Sequence, residues 1–280
     1  MDSAPPLTIC RVVRPLPGGS QSFSVQCDDG FFYVAKFMGN PQGNRTLINE
    51  WIGASLLSRL GVTTPRLRLL RLPPNAEGLK PFFRTPDGRL EIVGDLHLGS
   101  LYPADPDKVA IYDWLPDKVV ENLLVNASDF VTTFIADCWA GHGDKRQAVF
   151  HRNKRRGGFE ASMIDHGRLF GGHRWKLFSS PVICRYWCPS VYRGVDLNTI
   201  ARQTIDLIQS WSLSQINEMF HSAPPEWSED GDQHAFSAMA EQLIRRSETL
   251  FTWADEWLSS LRHYISGASI PRIAPTRTAL

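Results

Sequence analysis

Two patterns of apolar residues alternate along the first quarter of the chain. Residues 7–13, 22–27 and 31–37 are short runs crowded with β-branched and aromatic side chains. A breaker cluster, Pro15-Leu-Pro-Gly-Gly, closes the first run, and Asp28-Asp-Gly30 joins the second to the third. Three strands are predicted, the last two as a hairpin. Over residues 45–60 the period changes to that of a helix, with Leu47, Ile48, Trp51, Ile52, Leu56 and Leu57 on one face and Gly61 as the stop. Residues 66–72 predict another strand. Residues 73–117, rich in Pro, Gly and Asp, read as a linker with a few short strands.

Beyond the linker the helical period dominates. Ser128 is placed to cap a helix whose apolar positions, Phe130, Val131, Phe134, Ile135, Cys138 and Trp139, mark it as deeply packed. A loop, Gly141-His-Gly-Asp144, follows, and then a hairpin of residues 148–152 and 159–164. Residues 196–220 and 233–264 predict helices, the second with Phe236, Met239, Leu243, Leu250, Trp253, Trp257 and Leu261 on one face. The pattern predicts an α+β protein with a sheet-rich part over residues 1–110, a helical part over 111–266 and a disordered tail over 267–280.

Composition narrows the function classes. Apolar residues make up 42 % of the 280 and charged residues 21 %, with a net charge of +1. No bulk attraction to nucleic acid or membrane follows, and the basic tip Lys154-Arg-Arg156 reads as a solvated turn. No secretory signal or membrane-spanning run is expected. The five cysteines match no zinc spacing and read as reduced thiols in a cytoplasm, where the sequons at Asn44 and Asn126 carry no sugar. Four histidines between His142 and His173 lack an HExxH partner motif, so a zinc hydrolase is not expected.

Four features could carry chemistry. Gly18-Gly-Ser-Gln21 lies between two strands, where backbone N–H groups could meet phosphate or simply form a turn. Lys36 ends Val34-Ala-Lys36 amid aromatics and needs either a carboxylate, an anion or a path to water. Glu50, on the following helix, is a candidate partner or a solvated helix edge. Asp144 and Asp165 flank the second hairpin, which would bring two carboxylates to one cleft.

Taken together, Gly18-Gly-Ser-Gln-Ser22, Tyr33-Val-Ala-Lys36, Asn49-Glu-Trp51, Phe134-Ile-Ala-Asp137-Cys-Trp139, Gly141-His-Gly-Asp144-Lys-Arg-Gln147-Ala-Val-Phe150 and Ile164-Asp-His-Gly167 resemble the HipA-like kinases, within the protein-kinase-like superfamily. The resemblance runs over residues 8–170 and more loosely through the C-terminal helices. It implies a two-lobed protein-kinase-like fold and an ATP- and Mg²⁺-dependent phosphotransferase, with a protein hydroxyl as the expected acceptor. It puts Gly18, Gly19, Ser20, Gln21 and Lys36 on the ATP phosphates. Glu50 orients Lys36, Asp144 is the catalytic base and Asp165 holds the metal. Some members act as toxins, so a small antitoxin-like partner is a further expectation. Two positions depart from the pattern: Val149 stands where the family has a metal-binding asparagine, and His142 where it often has another. Gln147 could supply the missing amide oxygen. The departures keep two alternatives open, a pseudokinase that binds nucleotide as a sensor or scaffold, and a kinase-fold enzyme that transfers AMP.

Overall fold

The computed structural model describes residues 4–103, 109–177 and 183–267. Part of the expected linker (104–108) and the expected tail from residue 268 on lie outside the described residues. Strands β1 (Leu7–Pro15), β2 (Phe23–Cys27) and β3 (Phe32–Lys36) pair antiparallel in sequence order, and α1 (Arg45–Arg59) and β4 (Leu67–Arg71) follow. Short strands β5 (Glu77–Gly78), β6 (Phe82–Thr85) and β7 (Gly88–Glu91) lead to β8 (His97–Leu101). The main sheet has six strands in the order β2-β3-β8-β4-β1-β5, and because β1 also pairs with β2 it closes on itself. Its interior holds a compact core that includes Ile9, Val25, Tyr33, Ala35, Phe37, Leu70 and Phe83.

β8 corrects the linker reading. His97-Leu-Gly-Ser-Leu101 is short and broken by glycine, yet it runs between β3 and β4 as an interior strand. Gly99 is required by a close approach: a Cβ there would lie 2.7 Å from the Leu70 side chain. His97 is fully buried, and its Nδ1 accepts the Met38 N–H at 3.1 Å, so the neutral ring carries its proton on Nε2. Burial lowers its pKa to about 4, opposed weakly by Asp95. The folded state therefore takes up a proton less readily than the unfolded chain. That contribution to stability is complete above the unfolded value near 6.5 and is lost as pH falls toward 4. Melting scans between pH 7 and 5 should show a steeper loss for the wild type than for His97→Asn, up to about 1.4 kcal/mol per pH unit.

The helical part begins after β9 (Ile111–Tyr112) with α2 (Asp117–Leu123) and α3 (Ser128–Ala140). Ser128 opens α3 as its first residue, the cap being Ala127 without a side-chain bond, so the predicted serine cap is not formed. Asp129 in the first turn instead accepts the Thr63 N–H at 2.8 Å. Gly141 ends the helix in the left-handed region, and Arg246 donates to the Cys138 and Trp139 carbonyls that the helix end leaves open. The hairpin β10 (Gln147–Asn153) and β11 (Gly158–Ile164) follows as predicted, with β9 added at its edge. Each long predicted helix is two. A Ser212 capping box separates α4 (Leu197–Gln209) from α5 (Leu213–His221), and Thr249 separates α6 (Asp232–Glu248) from α7 (Leu250–Ile265). Trp257 is buried, whereas Trp253 is half-buried with Arg246 over its ring. Among the described residues no helix is long and apolar enough to cross a membrane.

The position of α1 decides the architecture. Although it follows β3 in sequence, Leu47, Ile48, Trp51, Ile52 and Leu56 share the large core of the helical part rather than the core inside the sheet. Gly53 lets it press on the segment after β11, since a Cβ there would meet Leu169 at 2.5 Å and His166 at 2.6 Å. Trp51 donates to Ser222 Oγ, and Arg45 pairs with the buried Asp232 of α6. The two lobes are thus joined through α1.

Candidate active site

The strand period sets which way Lys36 points. Tyr33 and Ala35 of β3, with Phe37 just beyond it, fill the sheet's interior, so Phe32, Val34 and Lys36 lie on its other face. There Lys36 Nζ forms an ion pair with Glu50 of α1 and lies 3.1 Å from Asp165 Oδ1. Glu50 is buried, and its carboxylate also accepts the N–H groups of His166 (2.9 Å) and Gly167 (3.0 Å). Neither a solvated helix edge for Glu50 nor a lysine reaching freely to water describes this arrangement. Burial disfavours the Lys36 ammonium, but Glu50 and Asp165 outweigh it and hold its pKa above the ordinary value. Burial likewise opposes ionisation of Asp165, and the Lys36 charge overcomes it and holds the carboxyl low. Burial raises the Glu50 carboxyl above its ordinary value against the opposing pull of the Lys36 ammonium, and the three groups form a hydrogen-bonded triad across the lobes.

Asp165 sits in the left-handed region (φ 62°), unusual for a residue other than glycine. That turn sends its carboxylate toward Lys36 while its carbonyl faces His142 Nε2 at 3.2 Å. His142 Nδ1 lies 2.9 Å from the Asp144 carbonyl and 3.3 Å from the Asp144 nitrogen. Burial, reinforced by the Arg146 charge, keeps this imidazole below its ordinary pKa. The neutral tautomer that donates from Nε2 to Asp165 accepts the Asp144 N–H at Nδ1. The loop of Asp144 and the loop of Asp165 are therefore clamped backbone to backbone. Asp144 itself is exposed, and its carboxylate accepts the Lys145 N–H at 2.7 Å.

Gln147, at the start of β10, is exposed and donates from Nε2 to Asp165 Oδ2 at 2.7 Å. It stands beside Asp165, but with its nitrogen inward; ligation of a metal through its oxygen requires the amide to turn. Val149 is half-buried two residues on, facing Ser162 in the hairpin. In the glycine turn, the Gly19 and Ser20 N–H groups donate to no group among the described residues. Gln21 is differently engaged: both ends of its amide bond the Arg84 backbone of β6, at 3.0 and 2.7 Å. Its side chain braces the turn against the β6–β7 hairpin and is not free for phosphate. Asn40 holds the turn from the other side through the Ser20 carbonyl (2.7 Å).

Three supports were not assigned from the sequence. Arg146 is buried, donates from Nε to Asp137 at 2.8 Å, makes a second bond to the same carboxylate, and reaches the Ile164 carbonyl at 2.9 Å. Its signal was the aspartate in the middle of the apolar helix α3. Asn49 donates to the Gly167 and Leu169 carbonyls and accepts from Trp175 Nε1 at 2.7 Å. Cys184 donates to the Asp144 carbonyl at 2.7 Å. Asp137, His142 and Cys184 also lie close enough to suggest a buried metal cluster. Arg146 already occupies both oxygens of Asp137, which argues against one.

The family model described as HipA-like kinase matches residues 9–83, which span the glycine turn, Lys36 and Glu50. The match ends before Asp144 and Asp165. Among solved structures, the proinflammatory kinase CtkA of Helicobacter pylori is similar with a TM-score of 0.56 and 11 % identity, covering 90 % of this chain and 98 % of its own. The Golgi casein kinase is similar with a TM-score of 0.51 and 13 % identity, covering 91 % of this chain and 73 % of its own. No curated protein sequence matches the chain. At these identities the likeness concerns fold: the chain has a two-lobed, protein-kinase-like α+β fold.

Proposed function

We propose that the chain is an ATP- and Mg²⁺-dependent phosphotransferase that acts on a protein hydroxyl. The observation that carries this reading is the Lys36–Glu50–Asp165 triad across the lobes, next to an exposed aspartate on a loop clamped to it. Phosphoryl transfer asks a protein mainly for positioning and charge, and these groups are of the kinds it uses. Lys36, fixed by Glu50, holds nucleotide phosphate, and the open N–H groups of Gly19 and Ser20 cover it from the sheet side. Asp144 orients the acceptor hydroxyl and takes up its proton, His142 fixing the loop that carries it. The donors beside Lys36, the Asp165 carboxylate and the Gln147 amide, are hard oxygen ligands and fit Mg²⁺ in type. Bound there, the ion would neutralise charge on the phosphate oxygens. Five free cysteines, four of them buried, accord with a cytoplasmic site of action.

Calorimetric titration with ATP, with and without Mg²⁺, tests the nucleotide site. Lys36→Met is expected to weaken ATP binding about 10- to 150-fold, the worth of charge-assisted hydrogen bonds of about 1.5–3 kcal/mol. The loss of rate should exceed the loss of affinity. Asp165→Asn should instead remove the Mg²⁺ dependence of ATP binding. Wild-type binding in both variants would exclude nucleotide from this cleft.

A further inference from the structure

The segment that follows Asp165 is charged on one side only. From His166 through Val195 the sequence contains Arg168, Arg174, Lys176, Arg185 and Arg193 and no Asp or Glu. Arg193 pairs with Glu121, and Arg185 stacks on Tyr264. Arg168, Arg174 and Lys176 are exposed and form no ion pair among the described residues.

The backbone ties two of these cations, Arg168 and Lys176, to the loop that carries Asp144. The Gly143 N–H donates to the Arg168 carbonyl at 3.0 Å, and the Gly171 N–H donates to the Gly141 carbonyl at 3.1 Å. Gly171 in turn packs on the Lys176 backbone so closely that a Cβ would collide with the Lys176 carbonyl. Arg168 and Lys176 are therefore both tied to the loop that carries Asp144, and Lys145, exposed and unpaired among the described residues, adds a further cation there. Asp232 of α6 is buried and already neutralised by Arg45, which also donates to the His173 carbonyl. On the opposite flank, Tyr186 bridges to Arg146 and leaves Trp187 half exposed at 51 %.

We propose that this surface binds an acidic polypeptide segment and presents its hydroxyl residue to Asp144. The inference rests on the phosphotransferase reading and deepens it by naming the acceptor's chemistry. Unpaired cations beside the reactive carboxylate favour carboxylates flanking the acceptor residue. They also offset the charge of Asp144 itself, which would otherwise repel an acidic chain. Trp187 offers such a segment an apolar contact beyond the charges.

The test measures binding by fluorescence anisotropy, without turnover. The probes are a labelled serine peptide flanked by glutamates, its glutamine isostere, and a single-stranded RNA of the same net charge. The glutamate peptide is expected to bind at least about tenfold tighter than the isostere, as several exposed ion pairs together supply, and tighter than the RNA. Combined Arg168→Glu and Lys176→Glu should abolish the difference, whereas Lys154→Glu at the distal hairpin tip should preserve it. Melting curves verify that both variants fold. Equal binding of the two peptides, stronger binding of RNA, or a preference that survives the double reversal would overturn the proposal. Phosphate transfer to the same peptides separates the two readings. Acidic-peptide binding without transfer contradicts the phosphotransferase and leaves the surface. Transfer without acidic preference contradicts the surface and leaves the enzyme.

Discussion

Asp144→Asn is expected to slow phosphate transfer by roughly 10²- to 10⁴-fold, the range for loss of a positioned general base, while ATP binding stays close to wild type. Three features of the site make this separation of effects specific. The Asp144 carboxylate is exposed and makes one hydrogen bond, to the neighbouring Lys145 N–H. The backbone of its loop is held independently of that side chain, by His142 and by Cys184. Lys36 and Asp165, the groups proposed for phosphate and metal, are bonded to each other and not to Asp144. An amide therefore replaces the carboxylate without disturbing either the fold or the triad. Single-turnover kinetics with saturating ATP, together with a separate binding titration, provide the two readouts. A variant that transfers phosphate at the wild-type rate would remove Asp144 from the chemistry.

Asp137→Ala is expected to lower stability by about 3–5 kcal/mol, because it strands a charge in the core. Arg146 is buried and takes two hydrogen bonds to the Asp137 carboxylate; the remaining contacts of its guanidinium are the Ile164 carbonyl and the neutral His166 ring. Burial disfavours the guanidinium, and Asp137 more than compensates. Without Asp137 no carboxylate remains in contact with the guanidinium. The melting temperature should fall on the order of 10 °C. Exchanging both partners, Asp137→Leu with Arg146→Met, should recover much of the loss, since a buried pair replaced by apolar groups leaves no unpaired charge. Equal destabilisation by the single and the double variant would mean that packing, rather than the ion pair, holds this part of the helical lobe.

What the sequence disclosed depended on whether a segment's neighbours were local. The hairpin of β2 and β3 and that of β10 and β11 were legible because each pairs with its sequence neighbour and Asp28-Asp-Gly30 or Asn153–Gly158 marks the turn. α1 was legible from its period, but not its allegiance. Apolar spacing says that Leu47, Trp51 and Ile52 are buried without saying against which core. Glu50 reads equally as a partner of Lys36 or as a solvated helix edge, and Asn49 carries no assigned role, because the groups that bury them, among them Gly167 and Leu169, come from distant parts of the chain. β8 was hidden for the same reason. Its five residues include a glycine and a histidine, and only β3 and β4, far away in sequence, make it a strand. The helix breaks at Ser212 and Thr249 were masked by apolar periodicity that continues across them, although the Ser212-to-Gln215 capping box was there to be read.

At the site, residue types were legible and orientations were not. Lys36 in a strand and two aspartates around a hairpin could be named from spacing. The left-handed turn at Asp165, which splits its carbonyl and carboxylate between His142 and Lys36, has no counterpart in residue spacing. Gln21 likewise gave no sign that its amide belongs to Arg84, sixty-three residues away. In the sequence His142 is one of four clustered histidines and a departure from the family pattern, and the structure gives it a positive role as the clamp between the two acidic loops.

The most direct measurement of the central claim is transfer of label from ATP to protein, run in parallel with γ-labelled and α-labelled nucleotide, with Mg²⁺ and with chelator. The account predicts that γ-label is incorporated into the acceptor only with Mg²⁺, that α-label is not, and that Asp144→Asn loses the signal while still binding ATP. Incorporation of α-label would make the chain an AMP-transferase on the same fold. Binding of ATP with no incorporation of either label, in the presence of cell extract as a source of acceptors, would contradict catalysis and leave a nucleotide-binding pseudokinase.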